Sequence, residues 1–275
     1  METAINESLS RHIGQIRTQL EKGLPGSKRY GKVSSVIGTI IECTGLEASV
    51  GEVYSIHALG GKVIPAEVVG LKDGVTLLMP YDRIEGMKSG CLVECSGQAL
   101  TVPVGREMLG RVVDENCLPI DRPEPFHCSD YRAVHSDPPN PLHRSRINEV
   151  MATGVRAVDA LNTIGAGQRI GLFAGSGVGK SVLMGMIARH SDADVNVIAL
   201  IGERGREVQE FVEDTLGEEG LARSVVVAVT SDMAAMSRIK GAVTATAIAE
   251  YFRDQGKNVL LMMDSVTRVA MAQRE

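Results

Sequence analysis

An α/β domain with a mainly parallel sheet, preceded by a small N-terminal β-barrel and an N-terminal amphipathic helix, is the architecture this sequence predicts, on three observations. From residue 169 onward, apolar runs alternate with stretches of helical period, the pattern of a sheet carrying helices on both faces. From Gly31 to Gly97, eleven glycines punctuate short segments rich in Val, Ile and Thr, which reads as a small barrel or sandwich with tight turns. Ahead of these, Ile5, Leu9, Ile13, Ile16 and Leu20 recur at four, four, three and four residues, one stripe of a helix.

Taken in order, the chain divides into a helix and linker over 1–26, a barrel over 27–98, a connector over 99–143 and the α/β domain over 144–275. Gly23-Leu24-Pro25-Gly26 ends the first helix. A lone helix of this length is marginal in water, so its stripe packs either on the protein's own core or on a partner. Within the barrel, Val33 to Ile41, Glu67 to Val69 and Val75 to Leu78 are strand candidates, and no phosphate or metal signature falls among them. Six of the ten prolines lie between Pro119 and Pro141, so this stretch is predicted to be an extended connector without helix or central strand. Strands are then expected at 169–173, 195–201, 224–230 and 258–263, with helices at about 180–190, 206–216 and 237–253.

Composition narrows the function classes. The 275 residues are 44% apolar and carry a formal charge of −5, with no clustered Lys/Arg block, which disfavours nucleic acid as a partner. No window approaches the roughly 18 apolar residues of a membrane span, and no apolar core of signal-peptide length opens the chain, so any membrane contact is expected to be peripheral. Five cysteines, Cys43, Cys91, Cys95, Cys117 and Cys128, lack a CxxC pair and fit free thiols in a reducing cytoplasm. Cys117, His127, Cys128 and His135 have a spacing that matches no common zinc pattern.

The chemistry concentrates at Ala174-Gly175-Ser176-Gly177-Val178-Gly179-Lys180-Ser181, followed by Val182 and a helix-compatible stretch. Three glycines let the backbone curl so that successive N–H groups face one anion, and the following helix adds its positive end. Lys180 is placed to reach the β- and γ-phosphates, and the Ser181 hydroxyl to ligate Mg²⁺. Two further strands end in carboxylates. Val259 to Met263 runs into Asp264, which either holds the Mg²⁺ shell through water or caps the next helix. Ile198 to Ile201 runs through Gly202 into Glu203, with Arg204 and Arg206 behind it. Glu203 either orients and polarises an attacking water or belongs to a solvated loop of mutually paired charges.

The stretches GLFAGSGVGKS (171–181), IGERGREVQEF (201–211), AIAEYFRDQGKNVLLMMDSVTR (247–268) and MAQRE (271–275) closely resemble the flagellum-specific protein-export ATPases of type III secretion. That family is itself similar to the catalytic subunit of rotary ATP synthases. The likeness extends through the barrel and Gly105 to Asp114. It implies a RecA-like P-loop fold, ATP and Mg²⁺ as ligands, Glu203 as the carboxylate that activates water, Lys180 and Ser181 on phosphate and metal, Asp264 as the metal-side acid, and a supporting catalytic role for Arg204.

The resemblance also implies a homohexamer with nucleotide between subunits and an N-terminal segment that docks a stator-like regulatory protein. It further implies contacts with a central stalk, an export gate and chaperone–cargo complexes at the inner membrane. Family members continue past the MAQRE motif, whereas this sequence stops at Glu275 inside an apparent helix with no stop signal. The expectation is a truncated chain lacking the arginine supplied across the subunit interface, a group worth on the order of 10³ to 10⁵ in rate. Two alternatives stay open: a nucleotide-binding assembly module with little turnover, and an injectisome paralogue or rotary synthase subunit. Ala174 and the run Gly202 to Glu207 favour export over synthase, and the N-terminal stripe with Ala249 to Asp254 favours the flagellum.

Overall fold

The computed structural model describes residues 30–82, 84–95, 100–136, 138–175 and 177–275. The predicted N-terminal helix, with its stripe from Ile5 to Leu20, lies outside the described residues, as does Ser176.

Six antiparallel strands, β1 (Tyr30–Ile37), β2 (Ile40–Thr44), β3 (Val53–His57), β4 (Val63–Lys72), β5 (Val75–Pro80) and β6 (Leu92–Cys95), close into a barrel in the order β1-β2-β5-β4-β3-β6. Alternation along the strands sends Val33, Ile41, Cys43, Tyr54, Ile56, Ala66, Val68, Leu78, Cys91 and Val93 inward, and closure leaves no free edge. The run 33–41, read as one strand, is a hairpin. Gly38 takes φ +62° in the turn that sets Ile37 opposite Ile40. Asp73 and Gly74, both at positive φ, likewise join β4 to β5 in a two-residue turn, the conformation that matches strand twist.

After the barrel, β7 (Thr101–Val104) pairs with β9 (Asp130–Ala133), while β8 (Arg111–Val113) leaves the connector to become an edge of the main sheet. The proline-rich stretch therefore holds one short strand, β9, paired only with β7 in a two-stranded sheet and so not a central strand. Arg111 pins the loop that follows: its Nε and Nη2 each lie 2.9 Å from an Asp121 oxygen, and its guanidinium carbon is 5.1 Å from the Phe126 ring centre.

Next come the short pair β10 (Val150–Met151) and β11 (Ile164–Gly165), with α1 (Arg156–Leu161) between them. The domain then runs α2 (Lys180–His190), β12 (Val195–Ile201), α3 (Gly205–Glu210), a π-helical segment (Phe211–Leu216), α4 (Gly217–Ala222), β13 (Ser224–Val229), α5 (Ala235–Asp254), β14 (Val259–Asp264) and α6 (Val266–Ala272). The sheet is parallel, in the order β14-β12-β13-β8.

Every residue of β12 and β13 is buried, because both faces are covered, and this is why these strands read as continuous apolar runs. Val197, Ala199, Ile201, Val225, Val227 and Val229 pack against Ala242, Ala245, Ile248 and Phe252 of α5. Ile198, Leu200, Val226 and Ala228 pack on the other side against Met184 and Ala188 of α2 and Phe211 and Leu216 of the π segment. The barrel joins this domain at the start of α5, where Val53 and Tyr81 meet Met236. There the buried Lys240 donates to Asn116 Oδ1 at 2.7 Å and lies 4.8 Å from the Tyr81 ring centre.

Two expected elements differ. Residues 169–173 form no strand: Ile170 is 50% and Phe173 97% exposed. The run pairs with no strand among the described residues, so it lacks the ladder that would fix it extended. The helix expected over 206–216 winds as α only to Glu210 and as π from Phe211.

Candidate functional site

The loop before α2 owes its shape to its glycines. Gly177 takes φ +76° and Gly179 φ +93°, values that side chains with a Cβ disfavour. A Cβ built on Gly175, Gly177 or Gly179 would meet nothing within 4 Å, so this curl of backbone borders open space. Gly179 precedes the first helical residue, Lys180, and no side chain caps the helix, which leaves the first-turn N–H groups available to a ligand. Ser181 is exposed in that first turn, and Val178 and Val182 flank it at 67% and 56% exposure.

Parallel pairing delivers the acids to the same end of the sheet. Asp264 ends β14 directly opposite Leu200 of β12, and Glu203 lies three residues beyond Leu200 on the neighbouring strand's exit. Lys180 Nζ is 2.5 Å from Asp264 Oδ1, with Asp264 buried and Lys180 part-exposed. Ser265, not Asp264, caps α6: its side chain accepts from Arg268 N. Of the two readings open for Asp264, capping is thereby set aside.

The Glu203 backbone is anchored from the far side, where Ser231 N donates to Glu203 O at 3.0 Å. Its half-buried carboxyl is raised above the ordinary glutamate range, chiefly by burial, then by the hydrogen bond with Glu207 and the charge of Asp264, while Lys180 pulls it down. Glu207 moves the opposite way, lowered by its hydrogen bond with Glu203 and by the Arg204 N–H. Arg204 is exposed at the start of α3, with Nη1 3.7 Å from Glu207 Oε1, and its N–H donates to Glu207 Oε2 at 3.4 Å.

The structure thus brings together Lys180, Asp264 and Glu203, and turns Arg204 toward Glu207. Glu207 was not singled out in the sequence; its signal is the glutamate three residues after the helix-starting Arg204, the spacing of a capping box. Arg268 was also missed. Its stem covers Gly202, where a Cβ would lie 2.8 Å from Arg268 Cβ and where φ is +75°, so the strand exit beneath Glu203 requires glycine.

Two family matches span this architecture: the beta-barrel domain of the ATP synthase alpha/beta family over residues 33–97 and its nucleotide-binding domain over residues 154–275. The chain belongs to the ATP synthase alpha/beta family. Within the family it is 57% identical over 251 residues to the flagellum-specific ATP synthase of Bacillus subtilis, a match covering 90% of this chain and 57% of that protein. It is 49% identical to the type 3 secretion system ATPase of Xanthomonas euvesicatoria, covering 94% and 60%. Among solved structures, the assembled ATPase EscN in complex with its central stalk EscO, from the enteropathogenic E. coli type III secretion system, superposes with a TM-score of 0.81 at 45% identity, covering 89% of this chain and 60% of that one. The chain thus spans 57–60% of the length of these relatives.

The residues present fit the nucleotide and divalent cation that such a domain implies. Glycine-bordered open space and the uncapped start of α2 suit a phosphate tail, and the hard oxygens of Ser181 and Asp264 suit Mg²⁺. No helix among the described residues is long and apolar enough to cross a membrane.

Proposed function

We propose that this chain carries the nucleotide site of an ATPase that energises type III protein export for flagellum assembly, working as a homohexamer. The observation that carries the reading is the convergence of Lys180, Asp264 and Glu203 at the carboxyl ends of adjacent parallel strands, beside the glycine loop. In parallel α/β sheets this is where ligands bind.

The reaction is hydrolysis of ATP to ADP and phosphate. The phosphate tail lies along the loop 174–181, with the N–H groups at the start of α2 facing it, and Lys180 answers the β- and γ-phosphate charge. Ser181 and Asp264 are the residues that would hold Mg²⁺, which when bound would neutralise charge on the phosphate oxygens. A water oxygen attacks the γ-phosphorus as the bond to the ADP oxygen breaks, and Glu203 orients that water and accepts its proton. Glu203 must be ionised for this step, so Lys180, which favours its charged form, supports catalysis as well as binding. Arg204 extends from the same turn and supplies further positive charge.

The partners follow the same reading: a stator-like regulator at the N-terminal segment, a central stalk like that bound by EscN, and an export gate with chaperone–cargo complexes, at the cytoplasmic side of the inner membrane. Flagellar export is favoured over the injectisome because flagellum-specific ATP synthases of several bacteria, the Bacillus protein among them, are similar to this chain. In the full-length assembled protein, Glu203→Gln is expected to keep nucleotide affinity and lose phosphate release. Lys180→Ala is expected to abolish binding of a fluorescent ATP analogue. Full turnover in the first variant, or unchanged affinity in the second, removes the assigned roles.

A further inference from the structure

The first turns of α5 stand between the barrel and the strand exits that lead to Glu203. Ser237, Lys240 and Thr244 are polar, buried and spaced at three and four residues, so they share one face of the helix. Each is bonded outside it: Ser237 Oγ donates to the Tyr81 carbonyl at the end of the barrel, Lys240 Nζ to Asn116 Oδ1 at 2.7 Å, and Thr244 Oγ1 to the Glu115 carbonyl at 3.0 Å. The Lys240 ammonium also lies 4.8 Å from the Tyr81 ring centre, an attraction that strengthens away from water. Next to Lys240, Gly241 lets the helix press on the sheet: a Cβ there would meet Val229 Cγ2 at 2.5 Å and Ile201 Cδ1 at 3.0 Å.

Ile201 and Val229 are the last residues of β12 and β13. Glu203 lies two residues beyond Ile201. Ser231, whose N–H holds the Glu203 carbonyl at 3.0 Å, lies two residues beyond Val229. Resting on the reading of Glu203 as the carboxylate that activates water, we infer that Lys240, with Ser237, is a positioning residue for Glu203. The barrel and connector fix the first turns of α5, those turns fix the ends of β12 and β13, and the strand ends aim the turn that carries Glu203. An apolar side chain would fill the place of Lys240 without the cost of burying an ammonium. The lysine adds direction: one hydrogen bond and one ring contact tie the helix to connector and barrel together, and a satisfied buried polar network is rigid. The phosphate loop is spared, because α2 packs on the opposite face of the sheet from α5.

The test compares variants of the full-length assembled protein in steady-state phosphate release, binding of a fluorescent ATP analogue with Mg²⁺, and urea unfolding. Lys240→Met roughly keeps the volume and removes both contacts of the ammonium. Its kcat is expected to fall about tenfold, since a misplacement of about 1 Å is worth about 100-fold and a packed helix yields by less. Its affinity for the analogue is expected to stay within about twofold of wild type. Lys240→Arg keeps a donor and a cation beside the Tyr81 ring and is expected to recover most of the lost kcat. Arg132→Met is the control for stability: it cuts the ion pairs with Glu250 and Asp254 at the far end of the same helix and is expected to lower stability with kcat unchanged. Unchanged kcat in Lys240→Met, an equal fall in its kcat and its affinity, or the same loss of kcat in Arg132→Met overturns the proposal.

A second measurement needs no turnover. Hydrogen exchange at the Ser231 amide, the donor to Glu203, is expected to be several-fold faster in Lys240→Met than in the wild type or in Arg132→Met. Equal exchange in the three proteins overturns the proposal. If Glu203→Gln keeps full turnover, the reading of Glu203 falls, and the exchange rates alone decide whether Lys240 holds this turn in place.

Discussion

Gly185→Ala tests how α2 is seated. Gly185 is buried in the middle of α2 and faces the π segment: a Cβ there would lie 2.2 Å from Thr215 Cγ2 and 2.9 Å from Thr215 O. In an exposed helix interior, Gly→Ala stabilises by about 1 kcal/mol. Here the added methyl meets a side chain that could turn and a backbone carbonyl that cannot, and overpacking of that kind costs about 1–3 kcal/mol. The backbone contact places the cost in the upper part of that range, so the net expectation is a loss of about 1–2 kcal/mol, opposite in sign to the propensity effect. Urea unfolding monitored by circular dichroism measures it. Adding Thr215→Ser, which removes Cγ2 but leaves the carbonyl, should restore only part of the loss. Because α2 begins at Lys180, pushing it away from the π segment should also weaken nucleotide binding. A Gly185→Ala protein as stable as the wild type, or more so, would refute the close packing of α2 on Thr215.

Other perturbations follow from the same structure. Arg111→Met should unpin the connector loop and cost about 2 kcal/mol, less than a deeply buried pair because the loop lies near the surface; chemical denaturation checks it, and a neutral effect would deny the clamp. Burial pushes the Asp121 carboxyl up, but Arg111 and the N–H groups of Val112 and Arg122 outweigh it and hold it below the ordinary aspartate value. Its folded pKa being depressed, the stability it contributes is complete above the unfolded pKa of about 3.9 and is lost as pH falls through the folded value. Asp121→Asn should therefore flatten the acid side of a stability–pH curve. Glu203 acts ionised, so turnover of the assembled enzyme should fall as pH drops through its raised pKa. Glu207→Gln removes an adjacent negative charge and should carry that acid limb of kcat/KM to lower pH; an unmoved limb would show that the two carboxyls do not communicate.

What the sequence disclosed and what it withheld divide along a physical line. The glycine loop, the two strand-end carboxylates and the buried strands β12 and β13 depend on local composition: positive φ needs glycine at 177 and 179, and a strand covered on both faces needs unbroken apolar residues such as 195–201. These were legible. The run Ile170 to Phe173 is also apolar in the main, yet a strand exists only where a neighbour completes its ladder, and none of the described strands pairs with it. Period alone also failed to separate winding types, since Val208, Phe211, Val212 and Thr215 have α spacing while the backbone from Phe211 is π. Glu207 and Arg268 were hidden for a different reason. Their parts depend on contact with Glu203 and Gly202 across a turn, which residue type does not disclose.

The site itself depends on strand register more than on any one side chain. Side chains alternate across a sheet, and Met262 shares the α2 side with Ile198 and Leu200, packed on Met184 and Ala188. Asp264, two residues on, therefore faces the same side and meets Lys180. A slip of one residue in β14 would send Asp264 toward α5 and present Met263 to Lys180, leaving a part-buried ammonium without its anion. The apolar pairs Val195–Val259, Val197–Leu261 and Ile198–Met262 resist that slip, because shifting them would exchange the core face for the wrong one. The charged pair adds to this choice, since only the observed register lets Asp264 be buried with a partner. Packing in the middle of the sheet thus fixes chemistry at its end: the residues that exclude water from β12 and β14 are those that set the carboxylate opposite the phosphate-loop lysine.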